Sequence, residues 1–340
     1  MVNPYPHSDT NKRYYTFDYY TKHRFGGKCA KATLDVGCTC PNKDGTCGVG
    51  GCIYCLDGSR SAVGDTIADQ YKSAVAVAER KWKHLAGMIP YFQSGTNTYG
   101  DITTLSRYWQ EAATLPGAVM IGMGTRADCL GADVLSALAA LAERIPVMVE
   151  LGLQTIHDDT ARTIRRGYDY ATFVEGYTRL KALAEQMNGG APKGYGRLSV
   201  GIHIISGLPG EDRTRMLETA RAVADLEPDL VKIHLLHVLA GTDMAGLYTS
   251  GAYTPLERDA YCEIVCRQLE LLPTDTIIGR ITGDGLADVL LAPDWSRRKT
   301  DVANTVDKMQ AKENTWQGKV RSRAAQCCAK AEVRSQMSEG

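Results

Sequence analysis

The chain reads Ala32-Thr-Leu-Asp-Val36, then Gly37-Cys-Thr-Cys40-Pro-Asn-Lys-Asp-Gly45-Thr-Cys47-Gly-Val-Gly50-Gly-Cys52-Ile-Tyr-Cys55. A short apolar run of strand type leads into a loop, 37–60, rich in cysteine and in glycine (Gly45, Gly48, Gly50, Gly51 and Gly58). So many glycines let a loop bend sharply and bring backbone N–H groups near a ligand. Cys40, Cys52 and Cys55 form C-x11-C-x2-C directly after the strand. A C-x2-C pair can point two thiolates at one centre, and a third thiolate from across the loop completes a three-point clamp. Three thiolates on a cubane [4Fe–4S] cluster leave one iron without a protein ligand, open to chelation by a small molecule. Adding Cys38 would make a four-thiolate zinc tetrahedron, although Cys38 and Cys40 stand closer than zinc pairs usually do. Spacing alone leaves iron–sulfur and zinc both open. A thioredoxin-like pair is disfavoured, because Cys52-Ile-Tyr-Cys55 opens no obvious helix.

The loop stands out against an otherwise ordinary composition. The chain has 340 residues and 11 cysteines; the others include Cys29, Cys129, Cys262, Cys266, Cys327 and Cys328. The start, Met1-Val-Asn-Pro-Tyr-Pro, lacks the charged and apolar regions of a secretory signal, so a cytoplasmic location is expected. In a reducing compartment clustered cysteines point to metal or redox chemistry, and an odd total fits no pure disulfide framework. A 44% hydrophobic content is enough for a core and excludes a disordered, collagenous or coiled-coil chain. No run approaches the roughly 18–20 apolar residues of a membrane helix, so no membrane partner is expected. Lys+Arg and Asp+Glu are 39 each, which excludes a strongly basic protein but permits a local basic patch. Lys12, Arg13, Lys22, Arg24, Lys28 and Lys31, interleaved with Tyr14, Tyr15, Tyr19 and Tyr20, offer such a patch for nucleic acid. An ordinary solvated segment is the plain alternative.

Beyond the loop, strands and helices alternate. Strand-type runs begin at Ala32, Met88, Ala118, Val147, Leu198 and Leu230; Pro90 weakens the second. Helical spacing marks 67–82, 134–141, 173–187, 213–226 and 256–271. Nearly continuous apolar strands between helices predict a parallel sheet covered by helices, either doubly wound or a partial barrel. Polar residues interrupt three of these strands: Glu150, His203, and the pair Lys232 and His234, which share a face. Taken singly each reads as a satisfied core residue, but together they predict a lined cavity. Ligand groups in such folds lie at strand C-terminal ends, here 93–99, 124–129, 152–155, 206–211 and 237–242. Gly207-Leu-Pro-Gly210-Glu211 is a tight strand–helix turn, and Arg165-Arg166 could form a guanidinium fork for an anion.

At this point the residues resemble the radical S-adenosylmethionine (SAM) superfamily, and more closely its YhcC/YtqA-like branch, related to the elongator-type catalytic subunit. The resemblance runs from about Arg13 to Gly318. It rests on Thr39-Cys-Pro-Asn-Lys-Asp-Gly45 with Gly50-Gly-Cys-Ile-Tyr-Cys55, Tyr91-Phe-Gln-Ser-Gly-Thr-Asn-Thr-Tyr99, Gly124-Thr-Arg-Ala-Asp-Cys-Leu130 and Val149-Glu-Leu-Gly-Leu-Gln-Thr-Ile-His157. It continues through Gly207–Glu211, Lys232-Ile-His-Leu-Leu-His237, Thr282-Gly-Asp-Gly285 and Thr315-Trp-Gln-Gly318. It implies a partial (β/α)6 TIM-like barrel with extensions at both ends: 1–30 an N-terminal extension, 31–240 the core barrel, 241–318 a helical extension packed on the core, 319–340 a polar tail.

By the same resemblance, Cys40, Cys52 and Cys55 hold a [4Fe–4S] cluster. The loop Ser94-Gly95-Thr96-Asn97 stands where relatives hold the SAM amino group. Glu150, Gln154, Arg166, His203 and the Gly207–Gly210 turn stand where relatives contact other parts of SAM. No catalytic residue on the substrate is assigned, and Cys38 and Cys47 have no role. The implied chemistry is reductive cleavage of SAM to methionine and a 5′-deoxyadenosyl radical that abstracts hydrogen from the substrate, with flavodoxin or ferredoxin as reductant. The elongator affinity implies tRNA as partner and the C5 side chain of wobble uridine as target. A zero net charge counts against strong RNA binding. A small-molecule or protein substrate, or a non-catalytic zinc or iron–sulfur binding protein, are the other readings.

Overall fold

The structure is a computed structural model that describes residues 3–56, 65–283 and 288–321. Gly58, Asp284-Gly285 and the tail from 322, with Cys327-Cys328, lie outside the described residues. Seven strands form one sheet: β1 (Cys29–Leu34), β2 (Gly87–Phe92), β3 (Ile121–Thr125), β4 (Val147–Gln154), β5 (Leu198–Ser206), β6 (Leu230–Leu235) and β8 (Ile277–Arg280). A separate antiparallel pair joins β7 (Val238–Leu239) to β9 (Leu290–Ala292). Neighbours in the large sheet are all parallel, and they follow one another in chain order.

That order decides between the two expected architectures. A doubly wound sheet reverses direction at a switch point and gains helices on both faces. Here nothing reverses, and right-handed crossovers place every connecting helix on one face. These helices are α2 (Ile67–Lys81), α3 (Ile102–Ala113), α4 (Ala132–Ala142), α5 (Asp158–Thr163) with α6 (Tyr170–Asn188), α7 (Arg213–Leu226), and α8 (Asp243–Thr249) with α9 (Arg258–Leu271). α1 (Phe17–Phe25) precedes the sheet, and α10 (Lys299–Lys312) packs on α9. β1 and β8 each have one neighbour, so the curled sheet is an open half-barrel of the expected class.

Local chemistry sets the boundaries. Thr66, Asp101, Asp169 and Asp212 cap the starts of α2, α3, α6 and α7 with side-chain oxygens. Pro90 stands within β2, and the β2–β3 ladder breaks there, between the Met88–Ala118 bridge and the Tyr91–Gly122 pair. A residue without an N–H cannot hold that rung. β3 therefore starts at Ile121 rather than Ala118. β1 begins at Cys29 rather than Ala32. The seventh strand was not anticipated: Ile277-Ile-Gly-Arg280 lies in the segment read as a helical extension and is too short to show periodicity.

The sheet buries two faces. On the outside, Trp109, Leu138, Phe173, Leu180 and Leu269 pack on the apolar strand residues. On the inside, at the N-terminal ends of the strands, Tyr5, Tyr15 and Tyr20 meet Ile89, Met120, Met148, Leu230 and Ile277 and plug the lumen. Ile278 N–H donates to Tyr15 O at 2.7 Å, tying this plug to the last strand. The other end of the lumen stays open, and the cysteine loop crosses it.

Candidate functional site

Large polar side chains in the lumen stand opposite glycines of the neighbouring strand. A Cβ at Gly122 would lie 2.5 Å from the Tyr91 ring, one at Gly279 2.9 Å from Lys232 Cγ, and one at Gly201 3.2 Å from Glu150 Cγ. The glycines of β3, β5 and β8 thus make room for Tyr91, Glu150 and Lys232. Glu150, 1% exposed, is the hub of this layer. Tyr91 Oη donates to its Oε2 at 3.0 Å, Lys31 Nζ approaches Oε1 at 3.5 Å, and Lys232 Nζ and His203 Nε2 both bond Oε2. Lys232 Nζ also donates to Tyr91 Oη at 2.9 Å. Burial alone would push the Glu150 carboxyl up, but Lys232, Lys31 and His203 outweigh it and hold it well below the usual carboxylate range. Burial, reinforced by Lys232, brings His203 down to about 4 against the pull of Glu150, so its imidazole is neutral at pH 7.

Above this layer the strand ends turn into loops. The loop after β2 lies directly on the cysteine loop: Thr96 N–H donates to Thr39 O at 2.9 Å, and a Cβ at Gly95 (φ +68°) would overlap the Cys38 carbonyl. β4 loses register against β5 between Gly152 and Gln154, and Gln154 takes φ +68°, a left-handed conformation rare outside glycine. Tyr168 is held between two guanidinium groups, Arg126 at 4.7 Å and Arg166 at 4.5 Å from the ring centre. Arg126 forks onto Asp128 at 2.9 and 2.6 Å. Arg166 spends Nε and Nη1 on the carbonyls of Tyr168, Leu153 and Thr155, and its Nη2 is buried with the Asp158 carboxylate 3.9 Å away.

One cavity joins these parts. Cys40, Cys52, Gly95, Thr96, Glu150, Gln154, Arg166 and His203 all line it. Ser94, Asn97, Gly207, Gly210 and Cys55 do not. Asn97 is fully buried and ties the two strand ends, donating to Phe92 O and Gly124 O. Gly207 is occupied by the Tyr253 hydroxyl, which donates to its carbonyl at 2.7 Å. Cys55 is exposed, one turn beyond Cys52, whose carbonyl accepts from Cys55 N–H at 2.9 Å. Tyr54, Tyr91, Tyr168, Arg126, His234 and Arg280 also line the cavity, and none was assigned to SAM from sequence. Tyrosines in apolar strands look like core; the glycine facing Tyr91 across the ladder was the available signal.

Cys40 and Cys52 open into the cavity and Cys55 lies one turn beyond Cys52, a set of three thiols on one loop whose chemistry fits a cubane cluster. Burial raises the Cys52 thiol, with Cys55 adding to the rise, while the Tyr54 hydroxyl and Arg126 oppose it. Of the other described cysteines, Cys262 and Cys266 are core residues of α9 beside α10, Cys47 is exposed, and Cys29, Cys38 and Cys129 are half-buried.

The N-terminal basic patch is not presented to solvent as a phosphate ladder. Lys12 pairs with Asp307 at 2.5 Å, Lys22 with Asp18 at 2.9 Å, and Lys28 with Asp18. Arg13 is buried against Asn314, Arg24 donates to Tyr20 Oη and Gly196 O at 2.7 Å each, and Lys31 turns inward to Glu150. Among the described residues no helix is long and apolar enough to cross a membrane.

Residues 228–312 match the radical SAM C-terminal domain family. The chain is 41% identical to the protein YtqA of Bacillus subtilis over 93% of its own length and 95% of that protein. It is 26% identical to a tRNA uridine(34) acetyltransferase of Methanocaldococcus jannaschii over 51% of this chain and 30% of that one. The fold is similar to the solved archaeal Elp3 of Methanocaldococcus infernus, with a TM-score of 0.63 at 17% identity, covering 85% of this chain and 64% of that one. With a half-barrel closed at one end and a cysteine loop over the other, the chain belongs to the radical SAM superfamily, in its YhcC/YtqA-like branch, and is an enzyme with a [4Fe–4S] cluster and SAM as cofactors.

Proposed function

We propose that this enzyme modifies the C5 side chain of wobble uridine in tRNA, working in the cytoplasm with a flavodoxin- or ferredoxin-type reductant. The observation that carries the reading is the single cavity shared by Cys40 and Cys52, the Gly95–Thr96 loop and the lumen side chains. Cys40, Cys52 and Cys55 would hold the cluster, which supplies, when bound, the electron that cleaves SAM. The chain's own residues shape what happens around it. Gly95 and Thr96 offer the loop for the SAM amino group. Gln154 and Arg166 face its polar groups, with Arg166 Nη2 buried at 3.9 Å from the Asp158 carboxylate. Glu150 can reach SAM only by exchanging one of its present partners, so its first task is to hold Tyr91, His203 and Lys232 in the lumen wall. The Tyr91–Glu150–Lys232 layer also floors the cavity and separates a reactive substrate from the plug below.

The tRNA substrate is supported by the partial similarity to the tRNA uridine(34) acetyltransferase. The N-terminal cations, engaged in pairs within the chain, do not add to it. The test compares tRNA nucleosides from wild-type and deletion cells by mass spectrometry. A changed wobble-uridine side chain, restored by the wild-type gene and not by Cys52→Ala, is the expected result. An unchanged profile removes the tRNA reading and leaves a small molecule or protein as substrate.

A further inference from the structure

Asn42, in the cysteine loop between Cys40 and Cys52, is 3% exposed and has a place built for it. Its amide lies in a slot between two glycines: a Cβ at Gly167 would come within 2.6 Å of Asn42 Oδ1, and one at Gly48 would overlap the same atom. Nδ2 donates to Arg165 O at 2.5 Å and lies 3.6 Å from Cys52 Sγ. The orientation is fixed by chemistry, because a carbonyl only accepts and so must face the NH2 group. One N–H then points to Arg165 and the other is available to the sulfur. The backbone around the slot is shaped to match, with Arg165 at φ +55° and Gly167 at φ +86°, and Ile53 N–H donating to Ile164 O at 3.1 Å.

We propose that Asn42 is a positioning residue whose side-chain N–H bonds the Cys52 sulfur and raises the potential at which the cluster takes its electron. The inference rests on Cys52 being a cluster ligand. In the one-electron reduction the reductant is oxidised and one negative charge is added to the cluster and its sulfurs, with no proton moved. An N–H dipole aimed at a sulfur stabilises that added charge, so its loss makes reduction harder. The Tyr54 hydroxyl beside the same sulfur works in the same sense.

The test is an EPR-monitored redox titration of the reconstituted enzyme, with iron and sulfide counted per chain. Asn42→Leu keeps the size and removes the donor; Asn42→His keeps an N–H at nearly the same position. Asn42→Leu is expected to load iron as the wild type does. Its reduced-to-oxidised ratio at the wild-type midpoint should fall about tenfold, about 59 mV for a one-electron couple. Asn42→His should recover most of the loss. A wild-type midpoint in iron-loaded Asn42→Leu overturns the proposal. If Asn42→Leu does not load, pulsed EPR of reduced wild-type enzyme grown with 15N-asparagine decides, and absence of a 15N coupling overturns it. Full iron loading by Cys52→Ala breaks the ligand reading instead, a result separable from the first.

Discussion

At one end of the half-barrel Tyr5, Tyr15 and Tyr20 fill the lumen, and their polar atoms are satisfied by the chain itself. Tyr5 Oη donates to Thr274 O at 2.5 Å, Tyr20 Oη to Gly194 O at 2.6 Å, and Tyr15 N–H to Gln317 Oε1 at 2.8 Å. At the other end the backbone is glycine-rich and includes left-handed residues. Among the described residues, His234 Nε2 and His237 Nε2 are buried there without hydrogen-bond partners, and Arg166 Nη2 has only the Asp158 carboxylate, at 3.9 Å. Buried polar groups are normally paired, so this end has polar capacity that a ligand could use. The difference teaches that stability and chemistry are divided between opposite ends of the same strands, the division seen in closed barrels.

Gly95→Ala attacks the open end hardest, because the added Cβ meets backbone rather than a movable side chain. Loss of most iron loading is expected, measured per chain after anaerobic reconstitution; wild-type loading would show that the β2 loop need not lie on Cys38. Glu150→Gln strikes the layer between the ends. It leaves Lys232, 2% exposed, without its carboxylate and should destabilise the protein by roughly 3–5 kcal/mol in urea unfolding. A neutral result would mean that the lumen charges are solvated.

Tyr20→Phe probes the closed end. It removes the bond to Gly194 O and the one accepted from Arg24, and should cost about 1 kcal/mol with SAM cleavage per folded molecule unchanged. A fall in cleavage would break the division between the ends. A further test of the layer between the ends concerns pH. His203 titrates at about 4 in the fold against an ordinary 6.5, so between these values the unfolded chain binds the proton and the native one does not. The His203 contribution to stability should therefore fall as pH drops from 6.5 to 4, and below that the loss of the Glu150 charge takes over. His203→Gln should flatten that slope, and an unchanged slope would assign it to other groups such as His237, also lowered to about 4.

The two ends were also unequally legible in the sequence. Strands β4, β5 and β6 are long apolar runs and stand where the pattern puts them, and the C-x11-C-x2-C spacing marks the loop without any structure. β3 starts late because Pro90 breaks its ladder with β2, and what Gly122 does, making room for Tyr91, depends on register. β8 is four residues long and shows no period. The charges at the N-terminus are visible in the sequence, but Lys12, Arg13 and Lys31 find their partners Asp307, Asn314 and Glu150 far along the chain, so residues tied into the fold read as a basic patch. The donor on the Cys52 sulfur is hidden for the same reason, since its slot is made by Gly48 and Gly167 together.

The central claim is that the open end holds the cofactors through Cys40, Cys52 and Cys55. Anaerobic reconstitution with iron, sulfide, dithionite and SAM, followed by chromatographic quantitation of 5′-deoxyadenosine, tests it most directly. The wild-type chain is predicted to form 5′-deoxyadenosine, and each single change, Cys40→Ala, Cys52→Ala or Cys55→Ala, to abolish it with the fold intact. No 5′-deoxyadenosine from the iron-loaded wild type, or undiminished formation by any of the three variants, would contradict it.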